Sequence, residues 1–155
     1  MKCLTCLEPW ATAMVAGIKP IENRPWRVRH RGELAIHAGL STRWFTDEAC
    51  GHLHRLWPAF PADPKAALEM LRGNLGNVIG VVSVRDCLTL EDALGAGYTA
   101  ERDIARGPWC AVLDAGAARR LVEPVEWRGR LGLFEVPETV VGGEWVRSGE
   151  VRVRG

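Results

Sequence analysis

No apolar run in this chain comes near the roughly 20 residues that cross a bilayer, so a membrane-spanning helix is excluded and a soluble protein is expected. A charged-then-apolar leader is also lacking, and the five cysteines are an odd number. Both argue against a secreted disulfide framework and for a reducing cytoplasm. Internal repeats and low-complexity tracts are absent. Net charge is scarce: 20 Lys and Arg against 19 Asp and Glu leave +1, so the chain as a whole demands no polyanionic partner. Missing as well are a Ser-His-Asp order, a dinucleotide fingerprint and a phosphate loop. "GNLGNVIG" has the glycines, but it leads into a strand and carries no Lys-Ser/Thr.

What is present suffices for one domain, since 155 residues with a 47% hydrophobic share can bury a proper core. The little charge there is falls unevenly. In "GIKPIENRPWRVRHRG", residues 17–32, Lys19, Arg24, Arg27, Arg29 and Arg31 surround a lone acid, Glu22. Residues 19–31 therefore carry +4, residues 1–18 are neutral, and the remainder carries −3.

Patterning places the elements. "MKCLTCL" reads as a strand with both faces covered, and "EPWATAMVAG" as a short helix over 9–16 with Trp10, Ala13 and Met14 on one face and Gly17 at its left-handed stop. Residues 19–24 form a polar extended piece that ends at Pro25. "RGELAIHAGL" predicts a half-buried strand, and residues 44–72 two helices split by the prolines of "WPAFPADP". "NVIGVVSVRDCLTL" is the strongest strand signal, with Gly80 marking a bulge or bend. A charged surface connection over 91–107, a buried strand in "GPWCAVLD", a helical turn, a corner at Pro124 and a strand at 131–136 complete the pattern. The tail from Glu144 either pairs with itself through a turn at Ser148 and Gly149 or stays loose. Helices that do not keep a strict β-α-β rhythm predict an α+β fold: a small, bent, largely antiparallel sheet or barrel with helices outside.

The cation run offers what a polyanion binder needs: Lys and Arg to displace phosphate counterions, and Trp10 and Trp26 at its ends to stack on bases. Arg27, Arg29 and Arg31 alternate, so in an extended segment they share one side, opposite Val28 and His30. A solvated basic face with a structural tryptophan is the plain alternative. Glu22 either pairs with Lys19 or Arg24 or, facing a pocket, accepts hydrogen bonds from a base amine while its neighbours hold phosphate or a carbonyl. Cys3 with Cys6, and Cys50 with His52 and His54, supply enough ligands for zinc. Cys3 and Cys6, however, are three apart on a strand and point to opposite faces, so no metal and no cofactor are expected. His37, among apolar neighbours, reads as a wall histidine.

The stretch "CLEPWATAMVAGIKPIENRPWRVRHRGELAIHAG" resembles the opening of ASCH domains, members of the PUA-like superfamily, above all in its Gly-x-Lys-x-x-Glu-x-Arg core from Gly17 to Arg24. "VIGVVSVRDC", "GPWCAVL" and "PVEWRGRLGLFEV" extend the likeness over nearly the whole chain. The resemblance implies a PUA-like β-barrel over residues 1–143, a cleft lined by segment 17–24, and binding of RNA or another nucleic acid. Some members are enzymes: one group removes the acyl group of N4-acetylcytidine with a lysine, a threonine and a downstream glutamate, and another member cuts single-stranded RNA. The lysine falls on Lys19, whereas the threonine falls on Glu22, which has no hydroxyl; the downstream glutamate has Glu91 and Glu101 as candidates. The leading expectation is a cytoplasmic binder of single-stranded RNA, or of a splayed or modified nucleotide, using Trp10, Lys19, Glu22, Arg24, Trp26, Arg27 and Arg31. The alternatives are an enzyme using Lys19 and Glu22 in the same cleft, as a ribonuclease or an amidohydrolase, and a protein-interaction module with a basic rim.

Overall fold

The computed structural model describes residues 1–146. Strand β1 (Lys2–Cys6) leads into helix α1 (Trp10–Val15), then β2 (Ile21–Arg24) and β3 (Gly32–Ala38). Helices α2 (Asp47–Leu56) and α3 (Pro64–Leu71) precede the long β4 (Asn77–Thr89). Two short helices, α4 (Leu90–Gly95) and α5 (Ala100–Asp103), then β5 (Trp109–Leu113), β6 (Arg119–Glu126) and β7 (Leu133–Glu135) follow. The strands form one seven-stranded mixed sheet in the order β2-β5-β4-β3-β1-β7, with β6 against β4 off that path. β1 and β3 run parallel, as the intervening α1 and β2 allow, and the other pairs are antiparallel. The fold is mixed α+β, and among the described residues the path runs from β2 to β7 without a pairing between those two ends.

Helix α1 lies between two apolar layers, and this placement organises the molecule. Met14 and Val15 pack with Leu4, Leu34, Ile36, Ile79 and Val82 of the sheet, while Ala13 and Trp10 join Leu53, Phe60 and Leu71 of the α2 and α3 layer. The single apolar face expected of this helix is therefore corrected: Ala11 to Val15 are all buried. With Pro9 unable to cap it by side chain, the helix takes its N-terminal acceptor from buried Glu8, whose Oε1 accepts from Thr12 N (2.7 Å) and Oε2 from Thr12 Oγ1 (2.6 Å). Gly17 ends it with φ of 77°. Ile18 N and Lys19 N then both return to Ala13 O, which turns the chain toward β2.

Strand β3 is buried on both faces, not half-buried: Leu34 and Ile36 enter the layer under α1, and Ala35 packs with Phe134 and Val136 on the other side. Gly80 does mark an irregularity, since the pairing of β4 slips beside it with both β3 and β6. A side chain there would meet Arg119 O at 2.3 Å and Val15 at 3.0 Å, so only glycine lets β4, β6 and α1 close together. Two expectations fail further along. Pro124 makes no corner between elements but sits inside β6, where six residues of β6 (Arg120 to Val125) lie opposite three of β4 (Gly80 to Val78), a bulge that needs no N–H from proline. Residues 91–107 are not a mere surface connection: Thr89 and Thr99 cap α4 and α5, and Asp103, Ile104 and Ala105 are buried. Of the tail, Trp145 bridges to Leu121 beside β6. The turn expected at Ser148 and Gly149 lies outside the described residues.

Candidate nucleic-acid interface

A cavity of about 430 Å³ opens between the C-terminal end of β1, strand β2, the N-terminal end of α1, the segment entering α2, and the loop after α5. That size is within the range of small-ligand sites, about 300–1,000 Å³. Lys19, Glu22 and Arg24 form one wall because the turn after Gly17 delivers Lys19 to the mouth of β2, where Glu22 and Arg24, two apart, share a face. Opposite Glu22 on β5 stands Ala111.

The three charges are held by different means. Lys19, 3% exposed, donates from Nζ to Ile21 O and lies 3.8 Å from Glu22 Oε2. Glu22, 8% exposed, accepts from Cys6 Sγ at 3.4 Å and lies 3.7 Å from Arg24 Nε. Arg24 Nη2 donates to Thr5 O (2.7 Å) and to Cys6 Sγ (3.3 Å). Its buried Nε makes no hydrogen bond within the protein. Burial, reinforced by the neighbouring Glu22 carboxylate, pushes the Cys6 thiol well above its ordinary value, so sulfur stays protonated and donates to Glu22. Neither ion pair is a close contact, and a carboxylate with a single weak donor retains free acceptor positions.

Indoles make the facing wall. Trp10 opens α1, and Trp44 lies before α2, their ring centroids 6.3 Å apart at 65°. Trp44 is 42% exposed, and Arg43 lies 5.7 Å from its ring. The last wall depends on Asn23, whose Nδ2 donates to Ile104 O (2.8 Å) and whose Oδ1 accepts from Arg106 N (2.8 Å) and Gly107 N (2.9 Å). These bonds hold Ile104 at φ of 60°, a left-handed conformation that a β-branched residue adopts only under constraint. His52 of α2 adds a buried ring that bonds Glu101 O (2.6 Å). The lining carries Lys19, Arg24, Arg43 and Arg106 against Glu22 and Glu48, an excess of cations that favours an anionic ligand.

The cation run is thus divided at Pro25. Trp10, Lys19, Glu22 and Arg24 meet in the cavity; Trp26, Arg27 and Arg31 lie outside its lining. Trp26 packs on the sheet core with the Arg24 guanidinium 6.0 Å from its ring. Arg27 lies over Trp109, and Arg31 donates to Val28 O and pairs with Asp86 at 3.5 Å. The expected alternation holds, with Arg27, Arg29 and Arg31 exposed around buried Val28. Glu91 and Glu101 are exposed and outside the lining. Sequence reasoning missed Asn23, Arg43, Trp44 and Arg106, and weighed His52 only as a zinc ligand. Adjacent Arg43 and Trp44 repeat the cation-with-indole pairing of the run itself and were the available signal. Cys3 and Cys6 fall in separate apolar clusters, and the described residues contain no group of three potential metal ligands.

Residues 4–113 match the ASCH domain family, a span that contains every lining residue named above. Activating signal cointegrator 1 of Homo sapiens is 30% identical over 96 residues, which cover 56% of this chain and 14% of that protein. Its Mus musculus counterpart is 32% identical over the same shares. The chain therefore corresponds to a small part of those relatives. The crystal structure of ASCH from Zymomonas mobilis superposes with a TM-score of 0.51 at 10% identity, covering 90% of this chain and 89% of that one, a likeness of fold alone. From β1 to the end of β5 the sequence carries one family's pattern, and the chain belongs to the ASCH domain family of the PUA-like superfamily, a family implicated in RNA binding.

Proposed function

We propose that this chain binds single-stranded RNA, or a single splayed or modified nucleotide, by admitting one base to the cleft. The observation that carries this reading is the convergence of Lys19, Glu22 and Arg24 with the indoles of Trp10 and Trp44 on one cavity. Each member suits a part of a nucleotide. An indole face stacks on any base, a contribution of about 1–3 kcal/mol per base. The Glu22 carboxylate accepts from an exocyclic amine, and the N–H groups of Lys19 and Arg24 donate to base carbonyl or phosphate oxygens. Arg43 and Arg106, on exposed parts of the rim, face the backbone on either side of the inserted base. RNA suits such a site because its sequence-specific recognition relies on unstacked bases presented from single strands and loops. Five free, buried cysteines fit a reducing cytoplasm as the place of action.

Quenching of tryptophan fluorescence by a mixed-sequence octaribonucleotide, repeated from low to high NaCl, tests the proposal. Affinity falls as salt rises, and Lys19→Ala with Arg24→Ala weakens it by tenfold or more, on the order expected for lost charge contacts. Binding indifferent to salt, or unchanged in the double variant, contradicts it. Catalysis in the same cleft is a separate question with a separate assay: turnover of single-stranded RNA or N4-acetylcytidine by the wild type, abolished in Glu22→Gln, would make Lys19 and Glu22 catalytic. Absence of product leaves a binding site.

A further inference from the structure

A second hollow of about 800 Å³ adjoins the cleft, and Thr5 and Leu7 line both. Its far side is the connection between β6 and β7, "WRGRL", with the exposed cations Arg128 and Arg130. We infer that this hollow is a phosphodiester-binding extension of the cleft, in which Arg128 and Arg130 hold the backbone of the nucleotides next to the inserted base. The inference rests on the cleft reading above and adds a second site to it. Three observations support it.

The two arginines are uncommitted: among the described residues neither has an ion-pair partner, unlike Arg31, Arg72, Arg102 and Arg119. Uncompensated guanidinium groups beside a groove attract phosphates and release counterions when they bind. Glu126 is the acid of that lining, against two cations.

The connection that carries them is fixed to the cleft. Trp127 O can only accept, so His37 Nε2 carries the proton of their 2.7 Å bond and leaves Nδ1 to accept from Thr5 Oγ1 (3.2 Å). Thr5 O in turn accepts from Arg24 Nη2 of the cleft. Arg24, Thr5, His37 and Trp127 thus form a bonded row from one hollow to the other. Gly129 tightens the junction, because a Cβ there would meet His37 Cε1 at 2.8 Å and Thr5 Oγ1 at 2.9 Å. Arg128 and Arg130 flank that glycine, so the backbone that carries them is held in place before any ligand arrives.

The composition of the hollow also suits a strand. Leu40, 75% exposed, and Leu131, fully exposed, offer apolar surface to sugars and base faces beside the charges. The arginine-bearing loop lies past residue 113, where the family match ends.

The test compares a mixed-sequence octaribonucleotide with the four ribonucleoside monophosphates, each titrated into wild type, Arg128→Ala/Arg130→Ala and Lys19→Ala/Arg24→Ala. Loss of Arg128 and Arg130 weakens the octamer on the order of tenfold and lowers its logarithmic salt slope by about 1.4, at roughly 0.7 per single-strand phosphate contact. Monophosphate binding stays unchanged. Arg128→Lys/Arg130→Lys retains the slope and separates charge from packing. An octamer affinity and slope unaffected by Arg128→Ala/Arg130→Ala overturn the inference, as does equal weakening of octamer and monophosphates. Loss of both ligands in the Lys19 and Arg24 variant alone, with the octamer indifferent to Arg128 and Arg130, keeps the cleft and removes the extension; a wild type that binds neither removes both.

Discussion

At the residue scale, Glu22 has two duties that can be separated. It is the counter-charge for two cations, one of them almost wholly buried, and it is the acceptor proposed to face a base. Glu22→Gln keeps the shape and removes the charge, leaving Lys19 and Arg24 uncompensated. Breaking a buried pair from one side costs about 3–5 kcal/mol; the open contacts at 3.7 and 3.8 Å place this case toward the lower end. Urea unfolding should show that loss, and a variant as stable as the wild type would mean that the carboxylate does not stabilise its neighbours. Glu8 presents the opposite case. Burial raises its carboxyl above the ordinary value, partly offset by hydrogen bonds from Thr12 and Asn74. The folded chain therefore holds this proton more tightly than the unfolded chain. Its contribution to stability is full below the ordinary carboxyl value of 4.5 and is lost as pH rises through the raised one. Glu8→Gln should flatten that decline in melting temperature measured over the same pH range; an unaltered profile would show that Glu8 is not its source.

At the scale of elements, glycine and asparagine do the positioning. Gly80→Ala drives a methyl into Arg119 O and Val15, and overpacking of this kind costs about 1–3 kcal/mol or more. Thermal unfolding reads it, and a neutral result would mean that β6 moves freely off β4. Asn23→Ala releases three bonds to the loop after α5, each worth about 1 kcal/mol. Faster hydrogen exchange at Arg106 and Gly107, with weaker ligand binding, is expected; protected amides would show that the loop is held otherwise. These elements also explain what the sequence could tell. β1, β4 and β5 were legible because β-branched and apolar runs identify strands in any context, and Gly17 and Gly80 because backbone exceptions leave few other residues eligible. Both-face burial of β3 was not, since it depends on β7 and α1 arriving from distant parts of the chain. Nor were α4 and α5, whose brevity hides their period although Thr89 and Thr99 mark their starts. Half the cleft was readable from segment 17–24. Its other half comes from residues 43–52 and 104–107, which approach only when α2 and the loop after α5 pack against α1 and β2.

At the scale of the whole molecule, a nearly neutral chain builds a locally positive cleft by withholding partners. Lys19 and Arg24 share one acid, Arg43 and Arg106 line the mouth, and Arg27, Arg29 and Arg31 are diverted to another surface after Pro25. The central claim is that the first group, not the second, meets the ligand. Nuclear magnetic resonance of isotopically labelled protein, titrated with the mixed-sequence octaribonucleotide, distinguishes them directly. The indole N–H signals of Trp10 and Trp44 and the amides of Glu22 to Arg24 should shift together and saturate at one equivalent. Shifts confined to residues 27–31, with Trp10 and Trp44 unmoved, would contradict it.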